Sequence, residues 1–154
     1  MKNVYVIDAC ALIDAAKNYN MKKQTFSDIW ETFAQMITDG ELYSTIEVRD
    51  ELKDEDLEEW SKLHKELFYP LTQEIQEYTK SILKNYPTLI KMTSKSNSNA
   101  DPFLIATAQV LNAIVVTNEK SGDVKNGNYK IPNVCNELNL ECLNLQDFID
   151  QIFD

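Results

Sequence analysis

The sequence predicts an α/β fold with a central, mostly parallel sheet covered by helices on both faces. Three observations carry this. Short apolar runs rich in β-branched and aromatic residues, residues 3–8 (NVYVID) and 113–117 (AIVVT), read as strands buried on both faces. These runs alternate along the chain with longer segments of helical periodicity. The chain has 154 residues, 44% hydrophobic, with only 3 Gly and 4 Pro, enough for a core of its own and unlike a disordered or low-complexity chain. No internal repeat or linker divides it, so residues 1–154 are expected to form a single domain.

The elements follow in order. Residues 3–8 open as a strand ending in a carboxylate, and the Ala-rich stretch 9–17 has helical propensity. Residues 25–39 place Phe26, Ile29, Trp30, Phe33, Met36 and Ile37 on one helical face, and Gly40 stops that helix. Residues 41–44 are a second strand. Ser44 and Glu47 fit a capping box that would start a helix with Val48 and Leu52 on its inner face. Residues 56–67 and 71–86 read as two more helices, with Pro70 between them and Pro87 after the second. Residues 94–99 (SKSNSN) are loop. Asp101 as cap and Pro102 at the first helical position then begin a helix through FLIATAQVL. Residues 113–117 form a strand and 121–130 a loop. A short helix (134–138), a short strand (141–143) and an amphipathic helix (145–153) close the chain.

Composition excludes several classes of function. With 25 Asp+Glu against 15 Lys+Arg the net charge is −10, which argues against coating DNA or anionic membrane by bulk charge. No apolar run approaches the roughly 20 residues that cross a bilayer. Asp8 and Asp14 interrupt the N-terminal apolar stretch, unlike a signal peptide, so a cytoplasmic protein without a membrane partner is expected. Cys10, Cys135 and Cys142 are an odd set without a close pair in sequence and read as small buried apolar residues, not a disulfide framework. The single histidine, His64, lies in a charged helical stretch and reads as a surface residue. A Cys/His zinc site and a His-activated nucleophile therefore lack support.

The functional signal is a set of carboxylates at corresponding places. In an open parallel sheet, ligands bind beyond the carboxyl ends of the strands. Asp8 ends the first strand, and Glu119 follows the strand at 113–117. Asp101 starts the helix that returns to that strand, and Glu51 borders the buried face of the helix after the second strand. Gathered at one edge, these four would repel unless a cation sat among them. An all-oxygen, carboxylate-rich site suits Mg²⁺ or Mn²⁺, whose chemistry there is phosphodiester hydrolysis by an activated water. Plainer roles exist for each: strand end for Asp8, helix cap for Asp101, a solvated acidic face for Glu51, an inert loop position for Glu119, and strand filling for Thr117. Glu47 is better read as the capping-box partner of Ser44.

Charge is also uneven. Residues 47–59 hold eight acids and two bases, −6 of the total −10, and read as a solvated helical face. Lysines flank the carboxylate segments instead: Lys17, Lys22 and Lys23; Lys91 and Lys95; Lys120, Lys125 and Lys130. Of these, Lys17, Lys91, Lys95 and Lys120 are the candidates for contact with RNA phosphates.

YVIDACALID, STIEVRDEL, ADPFLIATA and VVTNEKSG, in that order, resemble the PIN-domain pattern. The closing KIPNVCNEL and ECLNLQDFI resemble a bacterial PIN-like subgroup. The resemblance implies a three-layer α/β/α sandwich and a Mg²⁺- or Mn²⁺-dependent endoribonuclease, many of whose relatives are toxins of type II toxin–antitoxin pairs. It implies that Asp8, Glu51, Asp101 and Glu119 are catalytic and bind the metal, with Thr117 as a supporting hydroxyl. It also implies an RNA substrate, a cognate antitoxin as partner, and a homodimer as the common assembly. The last acidic position is Glu119 where the family usually carries Asp. A phosphatase of the haloacid-dehalogenase type would want an Asp two residues after Asp8, where Cys10 stands. A receiver domain would want a phosphoacceptor Asp ending a middle strand, and none is evident in the sequence. The alternative of a different class is a catalytically weak PIN-like module that binds a partner protein.

Overall fold

Five strands form one sheet in the computed structural model, which describes residues 2–89 and 100–154. They are β1 (Tyr5–Ile7), β2 (Leu42–Thr45), β3 (Phe68–Tyr69), β4 (Ile114–Val116) and β5 (Cys142–Leu143), in the order β3-β2-β1-β4-β5. Every neighbouring pair is parallel. β1 is central and fully buried, which is why its sequence is an unbroken apolar run. Its register places Val6 beside Tyr43 on one flank and Val115 on the other.

Eight helices complete the described chain: α1 (Ala9–Asn18), α2 (Ser27–Thr38), α3 (Ile46–Arg49), α4 (Glu55–Leu63), α5 (Gln73–Asn85), α6 (Asp101–Leu111), α7 (Ile131–Glu137) and α8 (Leu145–Ile152). One layer joins α1, α2, α4 and α8. There Trp30 meets Trp60 edge-on at 5.1 Å, and Phe33 stacks on Phe148 at 5.7 Å. Phe148 also packs on Tyr5 of β1 at 4.8 Å. In the other layer α6 lies against β1, β2 and β4 and carries α5 and α7 beside it. The result is a three-layer α/β/α sandwich. Among the described residues no helix is long and apolar enough to cross a membrane.

Several expectations change. Residues 65–69 do not continue a helix: α4 ends at Leu63, a 3₁₀ turn spans Lys65–Leu67, and β3 pairs Phe68 with Ser44. Ser44 forms no capping box, because its buried hydroxyl donates to the Ile7 carbonyl at 2.6 Å and ties β2 to β1. Thr45 takes the cap position without a side-chain bond, and α3 is only 4 residues long. Residues 25–39 divide into a 3₁₀ turn, Gln24–Phe26, and α2. Gly40 does end α2, at φ +72°, a left-handed conformation that glycine adopts without strain. His64 is half-buried with its ring against Trp60 at 5.0 Å. Cys135 and Cys142 prove to be neighbours in the fold, close enough for each thiol to perturb the other's titration. A turn with Asn139 at φ 58° brings α7 back onto β5. All three cysteines are free thiols, and only Cys135 is fully buried. The loop expected at 94–99, with Lys91 and Lys95, lies outside the described residues.

Candidate active site

Asp8 stands between β1 and α1, where the extended run gives way to the Ala-rich helix. It does not lengthen the strand. With extended dihedrals it caps α1, and its Oδ1 accepts the Ala11 N–H at 2.9 Å. Its own N–H donates to the Val116 carbonyl at 3.0 Å, so the cap is fastened to β4 as well.

Thr117 follows β4 on the adjacent strand. Its hydroxyl donates to Asp8 Oδ2 and accepts the Glu119 N–H at 3.0 Å. Cys10 lies 3.2 Å from both Asp8 oxygens. Burial, and then the Asp8 charge, push its thiol up to about 12, so it stays a neutral S–H donor. Asp8 is 5% exposed and Thr117 2%. Burial pushes the Asp8 carboxyl up to about 6, although the Thr117, Ala11 and Cys10 donors all pull it down. The nearby Glu119 charge adds to the upward shift.

Glu119 is half-exposed, and its Oε1 accepts the N–H of Ile131, the first residue of α7, at 3.2 Å. The Glu119 side chain thus reaches outward to a helix start. Thr117, Glu119 and Lys120 line a cavity of about 440 Å³ that continues to Tyr19 of the α1 end and to Gln146 of α8. Lys120 is exposed at this cavity, and Lys17 is exposed in the last turn of α1.

The structure therefore brings Asp8, Thr117 and Glu119 into one hydrogen-bonded chain. Glu51 and Asp101 stand at the same sheet edge by topology, outside that chain. Glu51 falls in the turn after α3 and not on a helix. Asp101 is the first residue of α6, and the preceding Ala100 takes the cap position, its carbonyl accepting the Leu104 N–H at 2.9 Å. Among the described residues no three His, Cys, Asp or Glu side chains converge closely enough to form a ready metal cluster. The donor chemistry nevertheless fits a hard divalent ion, because the candidate ligands are carboxylates and one of them is buried at an energetic cost that a cation would offset.

Two residues escaped the sequence reading. Asn118 donates to Asp14 Oδ2 at 2.7 Å, and its Oδ1 accepts the Leu145 N–H at 2.8 Å, which joins α1, the β4 loop and α8 around the cavity. Their separation by 104 residues leaves no local signal. Asp14 gave only its place inside an apolar helix, six residues after Asp8.

A family model described as a domain of unknown function (DUF4411) matches residues 5–152. No curated protein matches the chain.

Proposed function

The chain belongs to this family, the domain of unknown function DUF4411, and we propose that it is a Mg²⁺- or Mn²⁺-dependent endoribonuclease of the PIN-like kind, the toxin of a type II toxin–antitoxin pair. One observation carries the reading. A carboxyl group is kept 5% exposed at the carboxyl edge of a parallel sheet, beside a second carboxylate, with its ionisation resisted by burial. Buried, perturbed carboxylates of this kind are characteristic of working sites. The resemblance of VIDACALI and ADPFLIA to PIN motifs supports the same assignment.

Asp8 and Glu119, with Asp101 and Glu51 from the same edge, would hold the ion. When bound, a divalent ion there supplies a polarised phosphodiester and a water acidic enough to attack it. The protein's own groups position the site. The Thr117 hydroxyl donates a hydrogen bond to Asp8, so the carboxylate is oriented as an acceptor while the same oxygen accepts from the Glu119 backbone. The Ile131 N–H orients the Glu119 carboxylate. Lys120 and Lys17 provide positive charge for RNA phosphates on that side.

Purified protein should cleave total RNA with Mn²⁺ and stop in excess EDTA, and Asp8→Asn and Asp101→Asn should abolish cleavage while the fold survives. Full activity in either variant, or in EDTA, overturns the reading. Co-purification with the product of the adjacent reading frame tests for the antitoxin, and sedimentation tests for the homodimer. A catalytically weak module that binds a partner protein is the second reading, favoured by the lack of a ready three-acid cluster among the described residues.

A further inference from the structure

Arg49 is the only arginine in the chain. It closes α3, directly beyond β2, and its guanidinium lies over the Phe68 ring, 6.0 Å from the centroid. Its carbonyl accepts the Leu52 N–H at 3.3 Å, but among the described residues its guanidinium makes no ion pair and no hydrogen bond. An aromatic face under the guanidinium limits its motion and leaves the N–H fork available.

A cavity of about 730 Å³ opens at this point. Arg49, Lys53, Lys62 and Lys65 line it against Asp50 and Glu58. Lys62 is matched by Glu58 at 3.3 Å, whereas Arg49, Lys53 and Lys65 have no ion-pair partner among the described residues. Three such cations share one cavity in a protein of net charge −10, two of them on the segment that is richest in acids. Their mutual repulsion is relieved by an anion.

The number and type of cations select the anion. One carboxylate would answer one guanidinium, whereas a phosphate monoester carries nearly two charges and three acceptor oxygens. The cavity volume falls within the roughly 300–1,000 Å³ of small-ligand sites. We propose that this cavity binds a nucleotide phosphate, through the Arg49 fork with Lys53 and Lys65 beside it. The phosphate belongs either to a free mononucleotide or to the terminal monoester of a 5′-phosphorylated nucleic-acid strand. The proposal stands apart from any cleavage activity.

Calorimetric titration of the full chain in EDTA tests it with three probes: inorganic phosphate, a nucleoside 5′-monophosphate and a single-stranded 5′-phosphorylated pentaribonucleotide. At least one should bind, with affinity that falls as salt is raised. Arg49→Gln should weaken binding by about tenfold or more, and Lys53→Gln/Lys65→Gln by about three- to tenfold. Arg49→Lys, which keeps charge without the fork, should fall between Arg49→Gln and the natural protein. Preference for the mononucleotide assigns a free ligand, and preference for the pentanucleotide assigns a strand. Both lysines are exposed, so their double variant keeps the test valid if Arg49→Gln fails to fold. Asp8→Asn should bind inorganic phosphate and the mononucleotide as the natural protein does, which separates this site from the acidic one. No binding of any probe at millimolar concentration, or binding unchanged by these substitutions, overturns the proposal. So does Arg49-dependent capture of a poly-glutamate peptide when the phosphate probes do not bind.

Discussion

At Asp8 the forces on a single carboxyl group oppose one another. Three donors favour its charged form and burial disfavours it, and burial prevails, leaving the group near 6. An unfolded chain would titrate it near 3.9. Between these values the folded state holds the proton more tightly, so this group's contribution to stability falls as the pH rises through the interval and stays low above it. Two pK units correspond to a cost of about 3 kcal/mol at neutral pH. Asp8→Asn removes the charge and keeps an oxygen for the Ala11 N–H. We therefore expect the variant to be more stable than the natural protein at pH 7 by about 1–3 kcal/mol, with the difference shrinking toward pH 4. Urea unfolding at pH 4, 5, 6 and 7 reads it directly. A difference that does not change with pH would show that ionisation of Asp8 is not its source. Gain of stability together with loss of RNA cleavage would mark a residue kept for its chemistry and not for the fold.

Elements show where local patterns hold and where tertiary contacts override them. The carboxylates after β1 and β4 were legible because a strand end is a sharp local event, and both strands are unbroken apolar runs. β3 was not legible, since a two-residue edge strand has no period to read. The capping box at Ser44 matched in spacing, but the hydroxyl is taken by Ile7, 37 positions earlier. Ser44→Ala should therefore lower stability by about 1–3 kcal/mol in chemical denaturation, because a buried carbonyl loses its donor; a loss of a few tenths would fit a cap. The cationic cavity escaped notice for a related reason. The acidic stretch is not one helix but α3, a turn and α4, and the break turns Arg49 and Lys53 toward Lys62 and Lys65. Glu119 links another pair of elements, holding the start of α7 to the loop after β4. Glu119→Gln keeps an acceptor for the Ile131 N–H, so its melting temperature should stay within about 2 °C of the natural protein while cleavage falls. Glu119→Ala should lose both the activity and about 0.5–1.5 kcal/mol of stability. Equal cleavage by Glu119→Gln and the natural protein would remove Glu119 from the proposed metal ligands.

For the whole molecule, the parallel sheet decides what its charges can do. Because every strand runs the same way, the loops after β1, β2 and β4 leave from one edge, and α6 starts at that edge before returning to β4. Asp8, Glu51, Glu119 and Asp101 therefore share an edge although they are spread over 112 positions of the chain. Topology places them at one edge, and among the described residues no three of them form a closed cluster. An ion that binds only the folded chain would stabilise it by RT ln(1 + [L]/Kd), about 2.7 kcal/mol at a concentration 100 times Kd. For a domain of this size each kcal/mol moves the melting temperature by roughly 2–4 °C. Saturating Mn²⁺ should therefore raise it by about 5–10 °C, and Asp8→Asn should lose most of that rise while starting from a higher baseline. Calcium, larger and tolerant of irregular oxygen shells, serves as a control for the site's demand for a small octahedral ion. No shift with Mn²⁺ in the natural protein would leave the carboxylates as a source of instability without a metal to offset it, and would favour the partner-binding module over the nuclease.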